Sequence, residues 1–229
     1  MKILKVTLAG VKHLLFPPYC LCCDAHIPFE NALICMDCEL DLSCSMTDSD
    51  REVKVIFYDM PQVKGLYIAF QFFEDSRVQK LIHYLKYKHY PEVGELLGCK
   101  LGRIIKRQQQ PFDFIIPVPI HPKKRKIRGY NQAEHIAKGV MEETGIPLAF
   151  GLLKKQRHSS SQTKLNKEER IRNVERSFGL RKKLNFKGKR VLLVDDVLTT
   201  GATLRALVQV LIEAKADHIE IGVLGKAEA

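Results

Sequence analysis

Short continuous apolar runs alternate along this chain with stretches whose apolar residues recur every three or four positions. Leu66 to Phe73, Phe112 to Val118, Val191 to Val194 and Ile219 to Leu224 are rich in β-branched or aromatic residues and read as buried strands. Between them, Val78, Leu81, Ile82 and Leu85, then Val93, Leu97, Leu101 and Ile104, fall at helical spacing. Asn131 and Glu134 have capping-box spacing ahead of Ile136, Ala137, Val140 and Met141, so a helix is expected to open there. Leu204, Leu207, Val208, Leu211 and Ile212 mark the apolar face of another. This alternation predicts an α/β protein with an open, mainly parallel sheet covered by helices on both faces. Ligands then bind outside the carboxyl ends of the strands.

With 229 residues, 45% of them apolar, the chain can bury one core of ordinary size plus a small appendage. The stretch from Phe16 to Cys44 is rich in cysteine, and Ser45 to Arg51 resembles a linker, which divides the chain into a module over 1–50 and a main domain over 51–229. Cys20 and Cys23, then Cys35 and Cys38, form two C-x-x-C pairs that together can close a tetrahedral zinc site of the structural kind. Cys22 or Cys44 could replace a neighbour in that set, and a redox pair is the other reading. Cys99 fits a helix core. No disulfide pattern appears, which suits a reducing compartment. Met1 to Phe16 is mildly apolar but interrupted by Lys5, Thr7 and Lys12, too short to span a membrane and without a cleavage site. The expectation is a cytoplasmic protein with a short amphipathic helix at its start, which leaves open a peripheral place at the inner face of the membrane.

The strongest chemical signal follows Val191 to Val194. Asp195 and Asp196 end that run, and Val197, Leu198, Thr199, Thr200, Gly201, Ala202 and Thr203 lead directly into the last apolar helix. Backbone N–H groups and threonine hydroxyls meeting at a helix N-terminus make a phosphate cradle, and Gly201 permits a close turn. Two carboxylates beside a phosphate repel it unless they contact hydroxyls or a divalent cation, and ribose hydroxyls or a shared Mg²⁺ meet that need. No Gly-Lys-Ser/Thr follows a glycine-rich loop, which disfavours nucleoside triphosphate hydrolysis.

The formal net charge is +11, which favours a polyanionic partner. Lys123, Lys124, Arg125, Lys126 and Arg128 fall within six positions after the run Phe112 to Val118, and form either a solvated loop or a contact surface for pyrophosphate or nucleic-acid phosphate. Lys154 to Arg190 adds 14 basic residues against 3 acidic ones, so this one segment matches the excess charge of the whole chain. It reads as a lid closing on an anionic ligand or as a tract following a phosphodiester backbone. Tyr130, Phe178 and Phe186 are the aromatics near it in sequence, which is thin support for base stacking.

The segment from Val191 to Thr203 resembles the phosphoribosyl pyrophosphate (PRPP) motif of type I phosphoribosyltransferases. That resemblance implies that Asp195 and Asp196 hold the ribose hydroxyls and that Thr199, Thr200, Gly201 and Thr203 hold the 5′-phosphate. Over nearly the whole chain, the order of motifs resembles the ComF family of competence proteins: the four-cysteine ribbon, Leu81-Ile82-His83-Tyr84-Leu85-Lys86-Tyr87, Pro117-Val118-Pro119, Arg128-Gly129-Tyr130-Asn131-Gln132, then Gln162, Glu169-Arg170 and Asn173 before the phosphate loop. One departure is Ser159 in place of a threonine, which keeps the hydroxyl. The resemblance implies a type I phosphoribosyltransferase-like sheet flanked by helices, with an N-terminal zinc ribbon and with Mg²⁺ accompanying PRPP. It also implies a role in natural transformation, where a helicase-like competence protein and the uptake machinery deliver single-stranded DNA. The alternative is a working phosphoribosyltransferase that passes ribose 5-phosphate to an acceptor and releases pyrophosphate. A glutamine amidotransferase is not expected, because that class uses an N-terminal cysteine and the first here is Cys20.

Overall fold

The computed structural model describes residues 18–28, 32–42, 50–71, 76–155 and 177–227. Its elements are α1 (Met36–Asp41), α2 (Asp50–Ile56), β1 (Val63–Gln71), α3 (Arg77–Tyr87), α4 (Pro91–Arg107), β2 (Phe114–Pro117), α5 (Pro122–Arg128), α6 (Gln132–Thr144), β3 (Leu153–Lys155), β4 (Phe178–Leu180), β5 (Arg190–Leu198), α7 (Ala202–Glu213) and β6 (His218–Lys226). The expectations for Met1 to Phe16, Cys44 and Arg157 to Arg176 lie outside the described residues.

Four strands form a parallel sheet in the order β1-β6-β5-β2, and β3 and β4 pair as a separate antiparallel ribbon. The central strand shows why its sequence is apolar on both faces. Val191 and Leu193 enter one hydrophobic cluster with Leu204, Leu207 and Leu211 of α7. Leu192 and Val194 enter the other, with α3, α4 and α6. Side chains alternate across a strand, so a run with no polar member is what a sheet covered on both sides requires.

Helices α4 and α6 approach backbone to backbone. A Cβ on Gly98 would stand 2.1 Å from the carbonyl oxygen of Ile136, and one on Gly139 would stand 2.1 Å from that of Glu95. Gly94 and Gly102 extend the contact at four-residue spacing, so one face of α4 is a strip of glycines on which α6 lies. The cysteine module shares this core: Cys20, Ile27, Ile34 and Cys38 cluster with Val78 and Leu81 of α3, and Lys80 Nζ donates to Cys22 O at 2.8 Å.

Three local expectations are corrected. The linker-like segment does not run through Arg51, because α2 begins at Asp50. The cationic run after β2 is a helix, α5, and not a loop. His121 caps it by accepting from Lys123 N at 3.1 Å, and Gly129 ends it in the left-handed region at φ 81. Finally, α6 opens at Asn131 as expected, but without the capping box. Asn131 Nδ2 donates instead to Val118 O at 2.9 Å, and Glu134 receives both arms of Arg125 at 3.1 and 3.2 Å.

Candidate functional site

Strand β5 outlasts its apolar run. Asp195 is still paired with Val223 and Val197 with Gly225, so the acid pair sits within the paired length of β5, near its carboxyl end, and the connecting loop shrinks to Thr199, Thr200 and Gly201. Asp195 Oδ1 accepts from Asp196 N at 2.9 Å, and Asp196 meets Lys86 Nζ at 2.9 Å. Burial first, and the neighbouring Asp196 charge second, push the Asp195 carboxyl up to about 8, against the pull of the Asp196 N–H, Lys86 and Lys155. Lys155 is shifted down, by burial and then by Lys124. The site therefore holds a crowded set of charges that a ligand would rearrange.

Gly201 serves as the N-cap of α7 at φ 75 and offers no side chain, while Thr200 Oγ1 accepts from Ala202 N at 3.5 Å. The need for glycine comes from the protein side. A Cβ here would lie 2.4 Å from Ile56 Cγ2 of α2, and α2 is held in place by Arg205, which donates to Ile56 O at 2.5 Å and to both oxygens of Asp59 at 2.7 Å. The turn is thus braced from the protein side, and the first N–H groups of α7, which a helix leaves without intrahelical partners, are donors of the kind an anion cradle needs.

Facing the acid pair across a pocket of about 190 Å³ are the residues that follow β2. Here the segment from Arg128 to Gln132 divides its labour. Arg128 lies over the Tyr87 ring at 5.3 Å and donates to Gln132 Oε1 at 3.0 Å. Tyr130 OH donates to Leu85 O at 2.6 Å, locking the segment onto α3. Gln132 is 3% exposed and lines the pocket, and its Nε2 has no hydrogen-bond partner among the described residues. A buried donor without an acceptor costs about 1–3 kcal/mol, unless a ligand or water supplies one.

The sequence-predicted residues therefore separate. Asp195, Asp196 and Thr203 share the pocket with Lys124 and Arg128. Thr199 and Thr200 are exposed on the adjoining turn. Arg125 is occupied by Glu134, and Lys123 is exposed outside the pocket lining. Lys86, Lys155 and Gln132 were given no role from sequence. Lys86 and Gln132 sit within the quoted motifs, and only folding shows that they point to one place.

The second candidate is a metal centre. The Sγ atoms of Cys20, Cys23, Cys35 and Cys38 all lie within 4.8 Å of one another, and Cys23 and Cys35 are 3.6 Å apart. Thiolates on a tetrahedral ion with metal–sulfur bonds of about 2.3 Å are separated by about 3.8 Å, so the set fits. Backbone N–H groups of Cys22 and Cys35 point at Cys20 Sγ at 3.4 and 3.3 Å. Burial acts to raise the Cys20 thiol, but these amides and that of Cys23 prevail and bring it down to about 6, as a ligand thiolate needs. Cys22, raised to about 12 chiefly by burial, is not a member of the four-sulfur group.

Residues 127–228 match the family model of the phosphoribosyl transferase domain. The chain is 34% identical over 116 residues to Competence protein F of Haemophilus influenzae, covering 50% of this chain and 51% of that one. It is 26% identical over 212 residues to Competence protein ComFC of Streptococcus pneumoniae, covering 88% and 85%. It is 28% identical over 147 residues to DNA utilization protein YhgH of Escherichia coli O157:H7, covering 62% and 63%. The matched region thus spans about half the length of the Haemophilus relative. Among solved structures, a glutamine PRPP amidotransferase from B. subtilis is similar at 22% identity and a TM-score of 0.42, over 62% of this chain and 30% of that one. An adenine phosphoribosyl transferase from Trypanosoma brucei is similar at 19% and 0.36, over 61% and 55%.

Proposed function

The chain is a ComF-family protein with a phosphoribosyl transferase domain, and from that premise we propose that it binds PRPP between β5 and α6 and uses this site in handling incoming single-stranded DNA during DNA uptake. The observation that carries the reading is the pocket itself. One wall offers Asp195, Asp196 and Thr203, the other Lys124, Arg128 and the unpartnered Nε2 of Gln132. A sugar with hydroxyls along one edge and phosphates at both ends matches that division of charge. Asp195 and Asp196 take the ribose hydroxyls, Thr199, Thr200, Gly201 and Thr203 the 5′-phosphate, and Lys124 and Arg128 the diphosphate. Lys123 and Arg125, turned away from the pocket, serve a longer polyanion. Carboxylates suit Mg²⁺, and the ion would neutralise part of the diphosphate charge when it accompanies PRPP. The four clustered cysteines hold a structural zinc, which ties the N-terminal module to α3.

Six thiols free of disulfides among the described residues support a reducing, cytoplasmic setting, where a helicase-like competence protein and the uptake machinery would hand over the strand. No helix among the described residues is long and apolar enough to cross a membrane. The test is calorimetric titration of PRPP with Mg²⁺ into the wild type and into Asp195→Asn/Asp196→Asn, repeated with single-stranded DNA as competitor. Binding lost in the double variant supports the reading; equal binding by both proteins, or none by the wild type, defeats it.

A further inference from the structure

The described cations of the basic segment from Lys154 to Arg190 do not all face one site. Lys155 turns into the PRPP pocket, whereas Arg181, Lys182 and Lys183 line a second cleft of about 650 Å³, formed by the chain after β4 and the C-terminal end of α7. Lys215, just past α7, faces the same cleft from the opposite wall and holds a left-handed backbone at φ 66, a conformation that glycine usually fills. These four cations have no acidic partner among the described residues. Glu213 is the one acid in the lining, and it accepts from Gln209 at 3.3 Å. Four cations against one carboxylate leave a net charge of about +3 in one concavity, which favours a polyanion.

The apolar residues of the cleft decide which kind. Phe178, Val210 and Ala214 are buried and Leu180 and Leu184 are half-buried, so no large, fully exposed apolar side chain lines it. A protein partner would need such an anchor at the centre of its interface. Nucleic acid does not: its phosphates supply most of the attraction, and its interfaces are polar and strongly cationic on the protein side. A cleft tracks a single strand, while a duplex rests on a broader face. Phe178 lines both this cleft and the PRPP pocket, so β4 is the wall between them.

We propose that the cleft between β4 and α7 seats the sugar–phosphate backbone of a single-stranded nucleic acid, which then runs past the PRPP pocket at Phe178. This rests on the reading that the protein handles single-stranded DNA, and adds where the strand lies. The test is fluorescence anisotropy of a labelled twenty-residue oligothymidylate with the full chain over a series of salt concentrations, comparing the wild type with Arg181→Gln/Lys182→Gln/Lys183→Gln. All three positions are exposed, so folding is unaffected, as melting and PRPP titration will register. Removing three phosphate contacts lowers the slope of log affinity against log salt by about 2 and weakens binding by roughly tenfold or more at low salt. A wild type that binds while the variant keeps the same affinity and slope overturns the cleft and leaves the DNA reading standing. A wild type that binds no DNA overturns both. Equal binding of poly-glutamate, lost in the same variant, would replace the nucleic acid with an acidic protein segment.

Discussion

The sheet carries carboxylates at both of its ends, and they are treated in opposite ways. Near the amino ends of the strands, Glu220 is 4% exposed and satisfied from three directions. Tyr67 OH donates to it, His218 Nε2 lies 2.6 Å from Oε1, and Arg190 stands 3.6 Å away. At the carboxyl ends, Asp195 has one backbone N–H and, beside it, a second acid whose cationic partner is Lys86. A buried charge with a full set of partners is structural; a carboxyl raised first by burial and then by a like charge beside it is kept for something that arrives later.

The comparison breaks most visibly if Glu220 is removed. Glu220→Ala leaves Arg190, His218 and the Tyr67 hydroxyl without their common acceptor, and should cost about 3 kcal/mol in urea unfolding while PRPP affinity changes little. The acid pair should respond the other way. Because the folded Asp195 pKa stands near 8, above the ordinary carboxylate value, the folded chain keeps a proton that the unfolded chain has released between about pH 4 and pH 8. Its contribution to stability is therefore present at low pH and lost as pH rises through that window. Asp195→Asn should flatten this decline and raise stability by on the order of 1 kcal/mol at pH 8, and pH-dependent melting curves would show it. The smallest effect is expected from Lys86→Met. It should cost under about 1 kcal/mol, since the ion pair is partly exposed, and should move the Asp195 titration, followed by carboxyl NMR, further up, because Lys86 is among the groups that hold it down.

Much of the fold was legible from period alone. The strand at Val191 and the stripes of α3, α4 and α7 stand where the apolar pattern puts them, because a sheet covered on both sides leaves no freedom in those positions. The glycine strip of α4 was not read, although Gly94, Gly98 and Gly102 recur every four residues, since a glycine shows its purpose only when a second backbone lies against it. Charge was the least legible feature. The cations between Lys123 and Arg128 are alike in sequence, yet helix α5 turns Lys124 and Arg128 to the pocket and Arg125 to Glu134. Gln132 was legible only as a member of the motif from Arg128, and its role was not, because an unpartnered donor is a property of the packed state.

Gln132 is also where the central claim is most exposed, since it forms no ion pair and its buried Nε2 is unpartnered while its Oε1 accepts from Arg128 at 3.0 Å. The measurement is calorimetric binding of PRPP with Mg²⁺ to Gln132→Met, with a melting curve on the same sample. If the free Nε2 is aimed at a phosphate oxygen, affinity falls by about tenfold or more, the worth of one hydrogen bond to a charged group, while the melting temperature changes little, because the removal of a buried unpaired donor offsets the lost acceptor of Arg128. An unchanged affinity with a lowered melting temperature would contradict the account, and would make Gln132 part of the scaffold and the pocket something other than a PRPP site.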